Sequence, residues 1–305
     1  MFNKINRLFA RKDPCPAPAH ADPLVPAAAP PPYRLEHDSR VVAALGAEGF
    51  ELSRRLEAAQ SIGPAWFNGV LDALIQSTPY ADQKVYMQFH RRRFFELFNH
   101  CAELIAGLEN PMLLEFGVGE HTRLYKTFLR GASLHAADAG RYGIEGLGVD
   151  KSYVLDLTLQ ASRDAAQIPR RGFDLVLFTE VIEHLLVSPV ELITWLLTLV
   201  KPNGHLLLTT PNMFAKANIP AFLAYENPLP PFPPEQDRAT NSAHLREYSH
   251  IELLRFVEQA GGKSKALFFS ACWDDDETLA PIERKNMVLV AAPGEAANDT
   301  QQCEI

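Results

Sequence analysis

Apolar positions along the chain follow two rhythms. Between Asp38 and Leu108 they recur at helical spacing, first as Trp66, Phe67, Val70, Leu71 and Leu74, then as Phe94, Phe95, Leu97, Phe98 and Leu104. This spacing predicts helices with one buried face, a helical cap over residues 38–108. Beyond Pro111 the pattern changes to short, near-continuous apolar runs: Met112–Phe116, Ser133–Asp138, Tyr153–Leu157, Phe173–Phe178 and His205–Thr210. Such runs suit parallel strands covered on both faces by crossover helices. The expected architecture is α/β, a mainly parallel, doubly wound sheet preceded by the cap.

The first run carries the strongest chemical signal. Met112-Leu-Leu-Glu-Phe-Gly-Val-Gly-Glu120 ends a buried strand in an acid followed by Gly117-x-Gly119. Glycines there let the backbone turn sharply and approach a ligand closely, and His121 to Arg130 is expected to open a helix facing that ligand. A dinucleotide fingerprint would have a third glycine where Thr122 stands, and Glu115 would set a negative charge beside a pyrophosphate. A nucleoside cofactor without phosphates fits better. Asp138 closes the second run about 20 residues past the glycine turn, the place of a ribose-binding acid. Asp150 is a competitor at longer spacing, and Asp156 in the third run is available to an adenine amino group.

Four segments in order, LLEFGVGEHTRL, FDLVLFTEVIEHL, LVKPNGHLLLTTPN and HLREYSHIELLRFVEQAGG, resemble the successive motifs of class I S-adenosylmethionine-dependent methyltransferases. The flavour is that of the branch with ubiquinone-biosynthesis O-methyltransferases and bacterial glycan or small-molecule methyltransferases. The likeness runs from Pro111 to Val290 and implies a Rossmann-like methyltransferase domain over 109–293, with S-adenosylmethionine as cofactor. Carried onto this chain, the cofactor-binding residues are Glu115, Gly117, Gly119, Asp138, Asp156 and Glu180. Two departures stand out: the family's third glycine, near His121, is missing, and the stretch from Asp138 to Ser152 is glycine-rich where a full helix is expected.

Acceptor chemistry is expected after the fourth run, where Thr179-Glu-Val-Ile-Glu-His184 sits at the carboxyl end of a parallel strand. On a helix, Glu180, Glu183 and His184 share one face. They support three readings: His184 as the catalytic general base for an acceptor hydroxyl, a divalent metal set completed by His244, or hydrogen-bonded organisation of the cofactor pocket. His184 is the residue expected to be catalytic, with no metal held. Glu-x-x-Glu-His with a later histidine also resembles metal-dependent small-RNA 2′-O-methyltransferases, so RNA methylation is the alternative function, and a catalytically inactive cofactor-binding module is another. The aromatic and proline-rich stretch 211–243 is expected to form a lid over the acceptor, using Phe214, Phe222, Tyr225 and Phe232. His244, Arg246 and Tyr248 are candidates to face the acceptor, and Ser249 with Glu252 reads as a helix capping box.

Composition narrows the partners. A net charge of −8 over 305 residues disfavours nucleic acid; the acceptor that the resemblance implies is small-molecule, glycan or lipid-linked. No apolar run approaches the roughly 18 residues that span a bilayer. Cys15, Cys101, Cys272 and Cys303 show no paired or metal-like spacing, which favours a reducing, cytoplasmic setting. Residues 1–37 are expected as a disordered basic terminus and linker. Met1 to Lys12 is basic and amphipathic, suited to weak membrane-surface contact, and Pro14 to Pro32 holds eight prolines. His90-Arg-Arg-Arg93 reads as the wet face of a cap helix. From Ala291 the sequence turns small and polar, and 294–305 is expected as a flexible tail.

Overall fold

The computed structural model describes residues 33–140, 146–229, 243–273 and 276–294. Seven strands form one sheet: β1 (Met112–Phe116), β2 (Ser133–Asp138), β3 (Lys151–Val154), β4 (Phe173–Thr179), β5 (Val200–Pro211), β6 (Gly262–Ser270) and β7 (Asn286–Pro293). Their order is β3-β2-β1-β4-β5-β7-β6. The first five strands run parallel, while β7 pairs antiparallel to both β5 and β6. This is the doubly wound, Rossmann-like sheet expected from the apolar runs, with two strands beyond the five.

Alternate residues of each strand face opposite layers, as the pleat requires. Leu114, Phe116, Val176, Phe178, Leu206 and Leu208 pack with α7 (Pro189–Leu199) and α9 (His250–Gln259). Leu113, Leu175, Leu177 and Leu207 pack on the other side with Phe67 of α2 (Pro64–Ser77) and with Phe94, Leu97 and Phe98 of α4 (Arg91–Leu104). Glu115 is the exception to the apolar strands, an acid with no exposed surface in the middle of β1.

The cap helices therefore supply much of that second layer, beside Tyr125, Phe128 and Leu129. Expectation placed a helix over His121 to Arg130, but Gly119 leads into a 3-10 turn (Glu120–Leu124) and a single helical turn, α5 (Tyr125–Phe128). Between β2 and β3 the described residues hold no α-helix. That face is covered from the N-terminal side by α2, α3 (Ala81–Phe89) and α4, while Val41 and Leu45 of α1 (Ser39–Glu57) pack in the opposite layer. Each large apolar side chain so covered contributes ~1.5–3 kcal/mol.

Local signals account for the boundaries. Asp38 caps α1 by accepting from Arg40 N, Pro64 and Pro189 open α2 and α7 where a missing N–H costs nothing, and Ser249 and Glu252 form the expected capping box of α9. Several expectations are corrected. β3 starts and ends earlier than Tyr153–Leu157, so Asp156 lies past its end. β5 begins at Val200, ahead of the expected run His205–Thr210, and its register jumps from Phe173↔Val200 to Leu175↔His205 across a bulge. Ala291 and Ala292 are buried in β7 rather than frayed. Tyr33 to His37 is ordered, the Tyr33 hydroxyl bonding Asp38 and His250 at 2.8 Å each. The basic terminus, the proline-rich linker as far as Pro32, Phe232 and residues 295–305 lie outside the described residues.

Candidate active site

A cleft of about 970 Å³ opens at the carboxyl ends of the parallel strands, where ligands of such sheets bind. One end is bounded by Gly117, Gly119, Asp138 and Asp156, neighbours in the strand order, and His184, His244, His90 and Arg93 also line the cleft.

At the first end Gly117 has φ +80°, and a Cβ there would meet Val181 Cγ2 at 2.7 Å, so no other residue fits without a shift. Asp138, at the tip of β2, accepts from Gly140 N at 3.0 Å and lines the cleft. Asp156, in the turn after β3, accepts from the Thr158 hydroxyl and amide at 2.6 and 2.8 Å, and these bonds hold its carboxyl below the usual range. Asp150 is elsewhere: its carboxylate accepts from Leu134 N at 2.7 Å and from Ser133 and Lys126, a structural tie at the start of β3. Asp138 is among the residues lining the cleft and Asp150 is not. Glu115 does not line the cleft. It sits behind His121, whose Nε2 is 3.0 Å from its carboxylate.

Glu180, placed with the cofactor residues by resemblance, is engaged by protein. Its carboxylate accepts from Thr209 Oγ1 at 2.6 Å and Asn286 Nδ2 at 2.8 Å and pairs with Arg93 at 3.1 Å. Its φ of +55° is uncommon for a non-glycine residue, and strain of this kind clusters at functional sites. The expected helix face of Glu180, Glu183 and His184 does not form, because the segment is a three-residue 3-10 turn, Ile182–His184. Glu183 and His184 instead meet His244, with one donor atom of each within 4.8 Å of the others.

That trio is tightly built. Glu183 has no exposed side chain, Thr210 donates to one of its oxygens at 2.9 Å, and the other is buried without a hydrogen bond, 3.8 Å from His184 Nε2. Burial, and then the neighbouring Glu180, push its carboxyl well above the ordinary range. The Glu183 carbonyl accepts from Leu245 N at 2.7 Å, lacing the His244 loop onto the turn. His184 Nδ1 lies 3.0 Å from the Ala243 carbonyl, which can only accept, so Nδ1 holds the proton and Nε2 keeps a lone pair. His244 is tied the same way, by Nδ1 to Glu247 at 2.8 Å. Burial lowers the His184 pKa, which favours the neutral ring. Of the other acceptor-side candidates, Arg246 pairs with Glu252 at the surface and Tyr248 is core.

Arg93 and His90 correct the reading of the arginine run. Arg91 and Arg92 do pair at the surface, with Asp72 and Glu277. Arg93 turns inward to Glu180 and donates to the Tyr86 hydroxyl at 2.6 Å. His90 lines the cleft within ring contact of Tyr86 (4.4 Å) and Trp273 (5.2 Å), and burial drops its pKa to about 3. Nothing local in the sequence separates Arg93 from its neighbours. Among the described residues of the 211–243 connection the aromatics do not line the cleft: Tyr225 is 99% exposed, Phe214 and Phe222 stack on each other, and Ala215, Ala217 and Asn218 line the wall instead.

A side-chain-free glycine floor flanked by carboxylates at two successive strand ends accepts a nucleoside with hydroxyl and amino donors. Acids at that end are unsuited to phosphate. The doubly wound sheet and this cleft define a class I S-adenosylmethionine-dependent methyltransferase. Residues 86–261, more than half of the chain, match the family described as methyltransferase domain, and the protein belongs to that family. The ubiquinone biosynthesis O-methyltransferase of Photobacterium profundum is 27% identical over 167 residues, 53% of this chain and 67% of that protein. Among solved structures, a SAM-dependent methyltransferase from Archaeoglobus fulgidus is 16% identical, with 68% of this chain and 97% of that one covered at a TM-score of 0.47. A Burkholderia thailandensis 1,6-didemethyltoxoflavin-N1-methyltransferase bound to S-adenosylhomocysteine is 15% identical, with 78% and 93% covered at a TM-score of 0.45.

Proposed function

We propose that this methyltransferase transfers a methyl group to a hydroxyl of a small-molecule, glycan or lipid-linked acceptor. The observation that carries this reading is the Glu183, His184 and His244 trio on the cleft wall, a proton-accepting group beside the donor end. S-adenosylmethionine supplies a methyl already activated on a sulfonium, so the protein has to align acceptor, methyl and sulfur and take up the hydroxyl proton. Asp138 holds the ribose hydroxyls, Asp156 receives the adenine amino group, and Gly117 and Gly119 leave room for the rest. The neutral His184 accepts the acceptor proton at Nε2, with Ala243 fixing its tautomer. Arg93, His90 and Trp273 bound the space for the acceptor.

A second reading of the same trio is a divalent cation, favoured by the Glu183 oxygen without a hydrogen bond together with two histidines tied back through Nδ1, the outer-shell pattern of metal-binding imidazoles. Glu183, His184 and His244 would hold the ion, which would lower the pKa of an acceptor hydroxyl. RNA as acceptor is disfavoured by the acidic chain. Among the described residues no helix is long and apolar enough to cross a membrane. Calorimetric titration with S-adenosylmethionine followed by a radioactive methyl-transfer screen over small-molecule, glycan and lipid fractions tests the proposal. Donor binding with no labelled product from any fraction would favour the inactive-module reading.

A further inference from the structure

The space vacated by the missing third glycine is filled by His121, and its surroundings describe a binding subsite. The sheet order β3-β2-β1-β4 lays the donor across strand ends, with Asp156 after β3, Asp138 at β2 and the glycine turn after β1. A nucleoside anchored by the first two extends its amino-acid end over Gly119. At that point two acceptors converge: a Cβ on Gly119 would be 2.9 Å from His121 Nδ1 and 3.2 Å from Gln83 Oε1. In the tautomer that donates Nε2–H to Glu115, 3.0 Å away, the ring's lone pair is at Nδ1, and that atom is buried without a hydrogen-bond partner. Its ring is fixed by stacking on Phe94 at 4.7 Å and 20° and is 94% buried, with 6% of the residue exposed. Gln83, on α3 of the cap, is only weakly engaged, by Glu120 N at 3.4 Å.

We infer that His121 Nδ1 and Gln83 Oε1 receive the α-ammonium of the S-adenosylmethionine amino-acid part, with Glu115 acting through His121 as a positioning residue. An ammonium offers three N–H donors and a positive charge, matching two acceptors backed by a buried carboxylate. The cap thus completes the donor site as well as the core, through α3. This rests on the cleft being the donor site.

The experiment measures calorimetric affinities of wild type, His121→Ala and Gln83→Ala for S-adenosylhomocysteine and 5′-methylthioadenosine, which share the adenosine thioether and differ in the amino-acid part. Each substitution is expected to weaken S-adenosylhomocysteine about tenfold or more, as loss of a charge-assisted hydrogen bond does, and to leave methylthioadenosine unchanged. Equal losses for both ligands, or unchanged affinity for both, would overturn the assignment. Should His121→Ala fail to fold, Gln83→Ala, at a partly exposed cap position, decides by the same comparison. Failure of wild type to bind either ligand would instead refute the donor-site reading beneath it.

Discussion

Arg93 of α4 and Glu180 at the tip of β4 form a salt bridge of 3.1 Å on the cleft wall, each with little more than a tenth of its side chain exposed. It joins the N-terminal helical layer to the strand that precedes the turn carrying Glu183 and His184. Removing one partner leaves the other charge buried, so Arg93→Ala is expected to cost ~3–5 kcal/mol. The double change Arg93→Met with Glu180→Gln is expected to recover most of that, since no unpaired charge remains. Denaturant unfolding at neutral pH checks both, and additive losses would show that the pair is not coupled.

Gly117 and Asp138 are expected to control donor affinity through different physics. Gly117→Ala meets Val181 at 2.7 Å with φ at +80°. Adding Val181→Ala should relieve the contact but not the backbone strain of ~1–2 kcal/mol. Asp138→Ala should weaken S-adenosylmethionine, while Asp150→Ala, which cuts the ties to Leu134 and Ser133, should lower the melting temperature and spare affinity. Calorimetry and thermal melts on the same samples separate the two, and the reverse pattern would reassign the ribose acid.

His184→Ala is expected to lower kcat by about a hundredfold or more, the usual worth of a general base, with donor affinity retained. Because burial lowers the His184 pKa, the acid limb of kcat/KM should fall below the ordinary imidazole value of about 6.5. The deprotonated ring is the active form, so rate is lost as pH falls. Loss of turnover in chelator with recovery on adding a divalent ion would assign the trio to a cation instead. Near-normal turnover in His184→Ala would make the residue structural.

Acid should also loosen the fold through buried neutral histidines. Burial lowers His100 and His250 to about 4, whereas in the unfolded chain they titrate near 6.5. The folded pKa values are depressed, so their contribution is present above about pH 6.5 and is lost as pH falls toward 4, roughly 1.4 kcal/mol per group per pH unit in that window. His100→Phe should flatten part of this slope in melts taken between pH 7 and 4.5. An unchanged slope would place the acid sensitivity elsewhere.

The connection after β5 is expected to shape the acceptor end through its small residues. Ala217→Trp, projecting into the cleft wall, should raise the acceptor KM or abolish turnover while donor binding stays within about twofold, a change of about 0.4 kcal/mol. Phe222→Ala and Tyr225→Ala, on side chains away from the cleft, should do neither if the stretch does not close over substrate. Impaired acceptor use in those two variants, with donor affinity kept, would restore the lid.

Local chemistry made much of this protein legible from its residues. The five apolar runs, the Gly117-x-Gly119 turn, the strand-end acid Asp138 and the Ser249–Glu252 capping box follow from short-range rules of burial, backbone freedom and hydrogen bonding, and each is found in the fold. The antiparallel pair β6 and β7 had a readable signal in ALFF and MVLV, but its pairing depends on partners far along the chain. Other features required the tertiary structure because distance in sequence hides them. Arg93 is chemically identical to Arg91 and Arg92 until packing against β4 turns it toward Glu180. Glu180 parts from Glu183 because the chain leaves β4 through a left-handed residue and a 3-10 turn, a geometry that spacing alone does not encode. His121 shields Glu115 from the cleft only because Phe94, from the cap, holds its ring there.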